Sequence, residues 1–294
     1  MKKNLLTVAI LALAATGAYA QANDTLAKIK ASGKVVMGVR ESSSPLSYTL
    51  GEGKFTGYHV ELCERFLKSV APAAKVEYVP VTSQNRIPLV QNGTVDIECG
   101  STTNNATRQK DVSFAVTTFV TEVRTAVKAS SGITSIAQLN GKSLATTTGT
   151  TSVQTLRKHE RATGVNFNEV FGKDHADSFL LLESGRADAF VMDDNILAGL
   201  IANAKNPADF KIVGEVLSVE PIAIMFRKDD AGFKKAVDDF IKAQMKSGDL
   251  DKLYTKWFTS PIPPKNTNVN LAMGATLKGL IGAPNDNPME AYRK

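Results

Sequence analysis

Arg86 and Arg108 flank the segment Cys99-Gly100-Ser101-Thr102-Thr103, in which three hydroxyls follow a glycine. A guanidinium is planar, permanently charged and presents a fork of donors that matches a carboxylate edge to edge. Hydroxyls and the N–H groups of a turn add neutral donors. Two fixed cations in such company suit a small molecule carrying more than one carboxylate. Val95-Asp96-Ile97-Glu98-Cys99 reads as a strand that stops just before these donors. Small molecules bound by open α/β sheets sit outside the carboxyl ends of strands.

These groups need a scaffold, and the chain alternates strands with helices. Lys34 to Val39 reads as a strand, followed by a polar loop from Arg40 to Gly57. Val60 to Leu67 has helical periodicity, with Pro72 beyond its end. Val76 to Val81 is a strand, and Arg86 to Gln91 a short helix closed by Asn92-Gly93. The order then repeats. A strand at Lys142–Thr146 meets the turn Thr147-Thr148-Gly149-Thr150, and a helix starts at Ser152. A short helix spans Phe179–Ser184, a strand Ala187–Met192 runs into Asp193, and a helix fits Ile196–Ala204. Later, Phe233, Val237, Phe240, Ile241 and Met245 mark one face of a helix. Asp249–Phe258 is amphipathic; Pro261-Ile262-Pro263-Pro264 and a polar tail follow.

Strand–helix–strand order at this spacing argues for mostly parallel α/β sheets. Crossings near residues 120 and 220 divide the chain into a discontinuous lobe, residues 21–120 and 220–294, and a contiguous lobe, residues 121–219, with a cleft between them. No long Gly/Ser- or Pro-rich linker separates the two units, which argues against beads on a string.

Residues 1–20 read as a secretory signal peptide. Lys2 and Lys3 precede an apolar run from Leu5 to Ala15, and Ala18-Tyr19-Ala20 fits the small-x-small rule for cleavage after Ala20. The run is shorter than the ~20 residues that span a bilayer. Loss of Lys2 and Lys3 lowers the formal charge from +6 to +4. Lys and Arg are scattered, so a nucleic-acid partner is not expected. Two cysteines, Cys63 and Cys99, allow one disulfide in an oxidising compartment, or two buried thiols; spacing does not choose between them. Neither a C-x-x-C motif nor a His/Cys cluster of zinc-ligand spacing occurs, so no metal or other cofactor is expected.

Several segments, in order, resemble the periplasmic solute-binding proteins of amino-acid ATP-binding-cassette transporters, solute-binding protein family 3. They are Gly57-Tyr58, Gly93-Thr94-Val95-Asp96, Thr103 through Arg108 to Phe114, Leu139-Asn140-Gly141-Lys142, Gly149-Thr150, the run from Leu182 to Ala189, Asp193 and Lys256-Trp257-Phe258. Arg40-Glu41-Ser42-Ser43, Ser83 to Pro88, Cys99 to Asn105, Lys173-Asp174-His175 and Pro261 to Asn266 are similar to the glutamate/aspartate-binding branch. His59 departs from the family, which usually has Asp there; its place at a helix start puts it outside the pocket. The resemblance implies the two-lobed periplasmic-binding-protein fold (type II), two α/β lobes joined by two crossing hinge segments with the ligand in the interlobe cleft. It also implies a periplasmic monomer that captures L-glutamate or L-aspartate and delivers it to membrane permease subunits. Arg108 then takes the α-carboxylate, shared with the helix start at Thr150, and Asp193 takes the α-ammonium. Ser101 and Thr103 position the same groups. Arg40, Ser83, Arg86, Thr147 and His175 surround the side-chain carboxylate.

Charge counting agrees with an acidic ligand. Arg108 and Asp193 satisfy any zwitterionic amino acid, and further buried guanidiniums need an anion. A basic ligand meets repulsion. Glutamate and aspartate differ by one methylene, and the residues do not rank them. The rival readings are an enzyme on the same fold, dehydratase-like, using Glu41 or Glu98 with His175 as an acid/base pair, and a ligand-sensing module for a receptor. The sequence contains no nucleophile–base constellation, which leaves binding as the preferred reading.

Overall fold

The computed structural model describes residues 24–292. The signal-peptide segment and its cleavage point lie outside them. Helices are α1 (Thr25–Ser32), α2 (Tyr58–Val70), α3 (Arg86–Gln91), α4 (Thr151–Thr163), α5 (His175–Glu183), α6 (Asp194–Asn203), α7 (Ala231–Ser247), α8 (Asp249–Phe258) and α9 (Ala275–Gly282). Strands are β1 (Lys34–Val39), β2 (Ser42–Ser43), β3 (Ser47–Gly51), β4 (Lys54–Thr56), β5 (Lys75–Pro80), β6 (Ile97–Glu98), β7 (Val112–Phe114), β8 (Phe119–Lys128), β9 (Ser143–Thr147), β10 (Asn168–Gly172), β11 (Ala189–Asp193), β12 (Phe210–Ile222) and β13 (Met225–Arg227).

Two five-stranded sheets organise the molecule into two α/β lobes, in the order β5-β1-β6-β13-β7 and β10-β9-β11-β8-β12. In the first, β1 lies between the parallel strands β5 and β6. In the second, β9 lies between the parallel strands β10 and β11. Each arrangement is a switch point, where successive connections leave in opposite directions and open a crevice at the carboxyl ends of the strands. The chain leaves the first sheet after β7 and returns to it at β13. Between them β8 and β12 run antiparallel, Phe119 opposite Ile222, through to Lys128 opposite Phe210.

The core is segregated in the same way. One cluster, including Val35, Met37, Phe66, Phe226 and Phe233, fills the first lobe. Val123, Leu144, Leu156 and Val191 pack one face of the second sheet, and Phe190, Met192 and Ile196 the other. Strands buried on both faces read as continuous apolar runs, as Ala189–Met192 does. Helix α8 anchors the crossing: Phe258 stacks on Phe119 at 4.8 Å between ring centres and Tyr254 on Phe258 at 4.4 Å. Trp257 packs in the core, and its indole N–H donates to Glu61 at 2.8 Å.

Two segments differ from expectation. The polar loop from Arg40 to Gly57 contains an antiparallel sheet, β2-β3-β4. Its hairpin turns on Glu52 and Gly53, both at positive φ (53° and 72°), which is the two-residue geometry matched to strand twist. The tail is not a free polar end: α9 buries Leu277 and Leu280, and Met289 is buried beyond it.

Cys63 and Cys99 form a disulfide, with Cα atoms 6.4 Å apart. It ties α2 to the residue that precedes Gly100. Closing a loop of 36 residues restricts the unfolded chain by about 4 kcal/mol in the chain-entropy model. The double variant Cys63→Ser, Cys99→Ser should lose about 2–4 kcal/mol of stability in denaturant unfolding; an unchanged midpoint and slope would contradict a structural role for the bond.

Candidate functional site

The carboxyl ends of the parallel strands face each other across the lobes. From the first sheet, β1 delivers Arg40, β5 leads to Ser83 and Arg86, and β6 leads to Ser101 and Thr103. From the second, β9 delivers Thr147 and Thr150, β10 leads to His175, and β11 ends on Asp193. Helices α4 and α5 begin at this crevice, so their free N–H groups and positive dipole ends favour an anion there.

A small space of about 200 Å³ remains between the lobes, lined by Ser83, Arg86, Ser101, Thr103, Thr150, Thr151, His175, Met192 and Asp193. Seven of the ten candidate residues are in that lining. Arg108 adjoins it: its Nη1 donates to the Thr103 carbonyl at 2.8 Å and its Nη2 to the Gly149 carbonyl at 3.4 Å. Arg40 and Thr147 stand one layer back. A larger, more open groove between α4, β12 and the tail lacks acidic residues in its lining, so it offers no pairing of opposite charges.

Arg40 is engaged by the protein itself. Its Nη2 meets Asp174 Oδ1 at 2.6 Å, across the cleft, and its Nη1 donates to Ser101 Oγ at 3.1 Å. Asp174 caps α5, and its second oxygen accepts from Ser42 Oγ at 2.6 Å. Burial would raise the Asp174 pKa; the Arg40 guanidinium, the neighbouring His175 and the Ser42 hydroxyl together outweigh it and hold the carboxyl down at about 2. The Arg40–Asp174 pair therefore ties the lobes together with the charge already balanced.

Arg86 and Arg108 have no such partner among the described residues. Arg86 is buried, donates to the Ser101 carbonyl at 3.2 Å and leaves its Nε without an acceptor. Burial, then the guanidiniums of Arg108 and Arg40, push its pKa well down. Burial also lowers Arg108, against the opposing pull of Glu220 and Asp193. Asp193 sits at the start of α6 without capping it and without a cation as partner. Burial, then Glu220 and Asp194, push its pKa well up, against Arg86 and Arg108. Each of the three groups is strained toward its uncharged form and lacks the counter-charge that would relieve it.

Two buried carboxylates stand beside the candidate set: Glu220, which the sequence does not mark, and Glu98, considered only as part of an acid/base pair. Glu220 accepts from Thr103 Oγ1 and Thr151 Oγ1, both at 2.7 Å, and Glu98 from Thr102 Oγ1 at 2.7 Å. They order the hydroxyls around the cleft. Glu220 lies on the crossing strand, far in sequence from the residues it organises, so no local pattern marks it. Neither Glu98 nor Glu41 bonds to His175; Glu41 is exposed.

His175 is buried and held by Arg40 and Thr147. Arginine can only donate, so Nε2 accepts from Arg40 Nη2 at 3.3 Å and Nδ1–H donates to Thr147 Oγ1 at 3.0 Å. His59 lies outside the pocket lining but directly behind it. Its Nδ1–H donates to the Gly100 carbonyl at 2.6 Å, and its Nε2 accepts from Thr118 at 2.8 Å. Burial lowers His59 to about 4, opposed by the Gly100 carbonyl; burial, then Arg40, lowers His175 to about 3.

A pH dependence follows. From the ordinary value of 6.5 down to about 4, the unfolded chain binds protons that the fold refuses. Stability therefore rises with pH through that window and falls as acid is added. The denaturation midpoint should be level above about pH 7 and fall below 6.5, and His59→Gln should make the fall shallower. A level profile through the window would contradict neutral burial.

Comparison with known proteins places this geometry. The family model for bacterial extracellular solute-binding proteins, family 3, matches residues 35–260. A glutamate/aspartate import solute-binding protein of Escherichia coli is 45% identical, covering 96% of this chain and 97% of its own. An L-glutamate/L-aspartate-binding protein of Pseudomonas aeruginosa is 46% identical, covering 98% of each. Among solved structures, an ancestral amino-acid-binding protein described as a precursor of cyclohexadienyl dehydratase superposes with a TM-score of 0.70 at 29% identity, over 80% of this chain and 99% of that one. The match over most of the chain, on a fold whose two sheets meet at their carboxyl ends, shows that the chain belongs to the bacterial extracellular solute-binding proteins of family 3.

Proposed function

We propose that this chain is an exported, non-enzymatic binding protein that captures L-glutamate or L-aspartate between its lobes and delivers it to the permease of an ATP-binding-cassette importer. One observation carries the choice of ligand. Among the described residues, Arg86 and Arg108 are buried cations without an anionic partner, and Asp193 is a buried anion without a cationic one. An acidic amino acid brings two carboxylates and one ammonium, the complement of that set. A neutral amino acid leaves one guanidinium without its charge, and a basic one adds repulsion. The relatives' printed ligands, glutamate and aspartate, support the same reading.

The rest of the site serves closure. The helix starts at Thr150 and His175 supply N–H groups to an anion from the second lobe, while Arg86 and Ser101 approach from the first. A ligand that touches both favours the closed apposition, which the Arg40–Asp174 pair also favours. The two lobes then move as rigid parts, hinged where β8 and β12 leave the first lobe. Hinge closure around a ligand is the motion the general physics of two-lobed binding proteins leads to. His175, with an arginine on one nitrogen and a threonine on the other, orients donors rather than shuttling protons. That argues against the acid/base role.

Two glycines permit the approach. A Cβ on Gly149 would stand 2.8 Å from the Gln84 backbone, and one on Gly199 would stand 2.4 Å from the Ser44 carbonyl, in each case across the lobes. Gly199 is inside α6, where alanine is favoured by about 1 kcal/mol. Gly199→Ala should leave the unliganded protein as stable as before yet weaken glutamate binding at least tenfold; full affinity in that variant would mean that the lobes need not close this far.

Calorimetric titration of the mature protein with L-glutamate, L-aspartate, L-glutamine and L-arginine tests the proposal. Binding of the two acids well above the others is expected, and Arg108→Ala should weaken both acids at least tenfold, the worth of a charge-assisted pair at ~1.5–3 kcal/mol. Preference for arginine or glutamine would overturn the ligand assignment.

A further inference from the structure

We propose that the C-terminal segment, residues 285–290, positions Arg108, and so belongs to the binding machinery although it lies beyond the family match, which ends at residue 260. The inference rests on the reading of Arg108 as a carboxylate-binding group. The turn that carries Arg108 is held on two sides. Toward the cleft, the Thr103 carbonyl accepts from Arg108 Nη1, and Asn105 Oδ1 accepts from the Arg108 backbone N–H at 2.8 Å. The intervening residues, Asn104 and Ala106, bond instead to the tail.

Those bonds are numerous and specific. Asn104 is fully buried. Its carbonyl accepts from the Met289 backbone N–H at 2.9 Å, and its Nδ2 donates to the Asp286 carbonyl at 2.9 Å. Gln109, next to Arg108, donates through Nε2 to the same Asp286 carbonyl at 3.2 Å and to Asn104 Oδ1 at 2.9 Å. The Ala106 backbone N–H donates to Glu290 Oε2 at 3.0 Å. The segment also reaches the crossings. The Thr117 N–H, just before β8, donates to the Asn285 carbonyl at 2.9 Å; its hydrogen bonds reach β12 by way of the Arg108 turn, where the Asn104 N–H donates to the Pro221 carbonyl at 2.9 Å. Lys234 clamps the segment from α7 through Asp286 at 2.8 Å.

The turn with its short 3-10 segment, Arg108–Lys110, is closed locally by three backbone bonds, from Gln109 to Asn105, Lys110 to Thr107 and Asp111 to Arg108, and none of them fixes it to the rest of the lobe. Its geometry is set by what it is bonded to. Without the tail, the carbonyl and side-chain amide of buried Asn104 lose their partners, the Ala106 N–H loses its acceptor at the surface, and the turn relaxes toward water. A bidentate contact tolerates little displacement, so the guanidinium loses alignment before the lobe loses its fold.

The test compares the mature chain with one ending at Ala283. Amide exchange is read first, with no amino acid added. The N–H groups from Asn104 to Gln109 should exchange at least tenfold faster in the shortened chain, a readout that does not depend on glutamate being the ligand. Glutamate affinity should fall at least tenfold, and Arg108→Ala should cost far less in the shortened chain than in the full one. In the full chain, Glu290→Ala should weaken binding several-fold, and Glu290→Gln, which keeps an acceptor for Ala106, should restore it. Unchanged exchange at residues 104–109 overturns the proposal. So does an affinity within twofold of the full chain, in the shortened protein or, if that does not fold, in Glu290→Ala. A fall in affinity with the cost of Arg108→Ala undiminished also overturns it, since that is general destabilisation. Failure of the full chain itself to bind glutamate overturns the ligand assignment instead, with the exchange result still deciding the strap.

Discussion

Burying three guanidiniums in one cleft is the constraint around which the rest of this molecule is arranged. Like charges this close raise one another's cost, and desolvation adds several kcal/mol for each charge that lacks a partner. The protein balances Arg40 with Asp174, a residue of the opposite lobe, and orders Glu98 and Glu220 with threonine hydroxyls. It leaves Arg86, Arg108 and Asp193 for something else to balance. On the proposed function, such a site selects because it is incomplete: the penalty for a wrong ligand is a buried charge left unmatched, which outweighs small differences in shape.

The fold supplies the positions for that chemistry. Parallel strands with a switch point deliver side chains at their carboxyl ends, and two such sheets facing each other deliver them from both sides. Closure is then both mechanical and electrostatic. Gly149 and Gly199 let backbones approach to distances that any Cβ would block, and the Arg40–Asp174 pair forms only in that apposition. The crossing strands are anchored beneath by the Phe119, Tyr254 and Phe258 stack, which in the proposed closure leaves the bending to the points where β8 and β12 leave the first lobe.

Much of the scaffold was legible in the residues because it rests on local patterns. The apolar run at Ala189–Met192, the helical face from Phe233 to Met245 and the glycine-ended short helix at Arg86–Gln91 each lie in elements close to the expected ones. The candidate residues came together for a related reason: polar side chains placed just after strands have few other places to point. What escaped was non-local. Nothing near Asp174 in sequence announces Arg40, and Glu220 meets Thr103 across more than a hundred residues. The hairpin at Glu52-Gly53 was hidden by the shortness and mixed polarity of its strands, which become exposed toward the turn. The tail reads as polar because its few apolar anchors, Leu277, Leu280 and Met289, are spread among residues that dock through backbone groups and amides. The choice between disulfide and thiols depended on a Cα separation that spacing does not encode.

On the proposed function, the Arg86 guanidinium, unpaired among the described residues, selects the second carboxylate. The ratio of glutamate to glutamine affinity, in the native protein and in Arg86→Met, measures this, since these nearly isosteric ligands differ only at that terminal group, a charged carboxylate against a neutral amide. The account predicts a large ratio in the native protein that collapses toward unity in the variant, with glutamine binding little changed or improved. Equal losses for both ligands, with the ratio preserved, would show that Arg86 is structural and that the charge is read elsewhere.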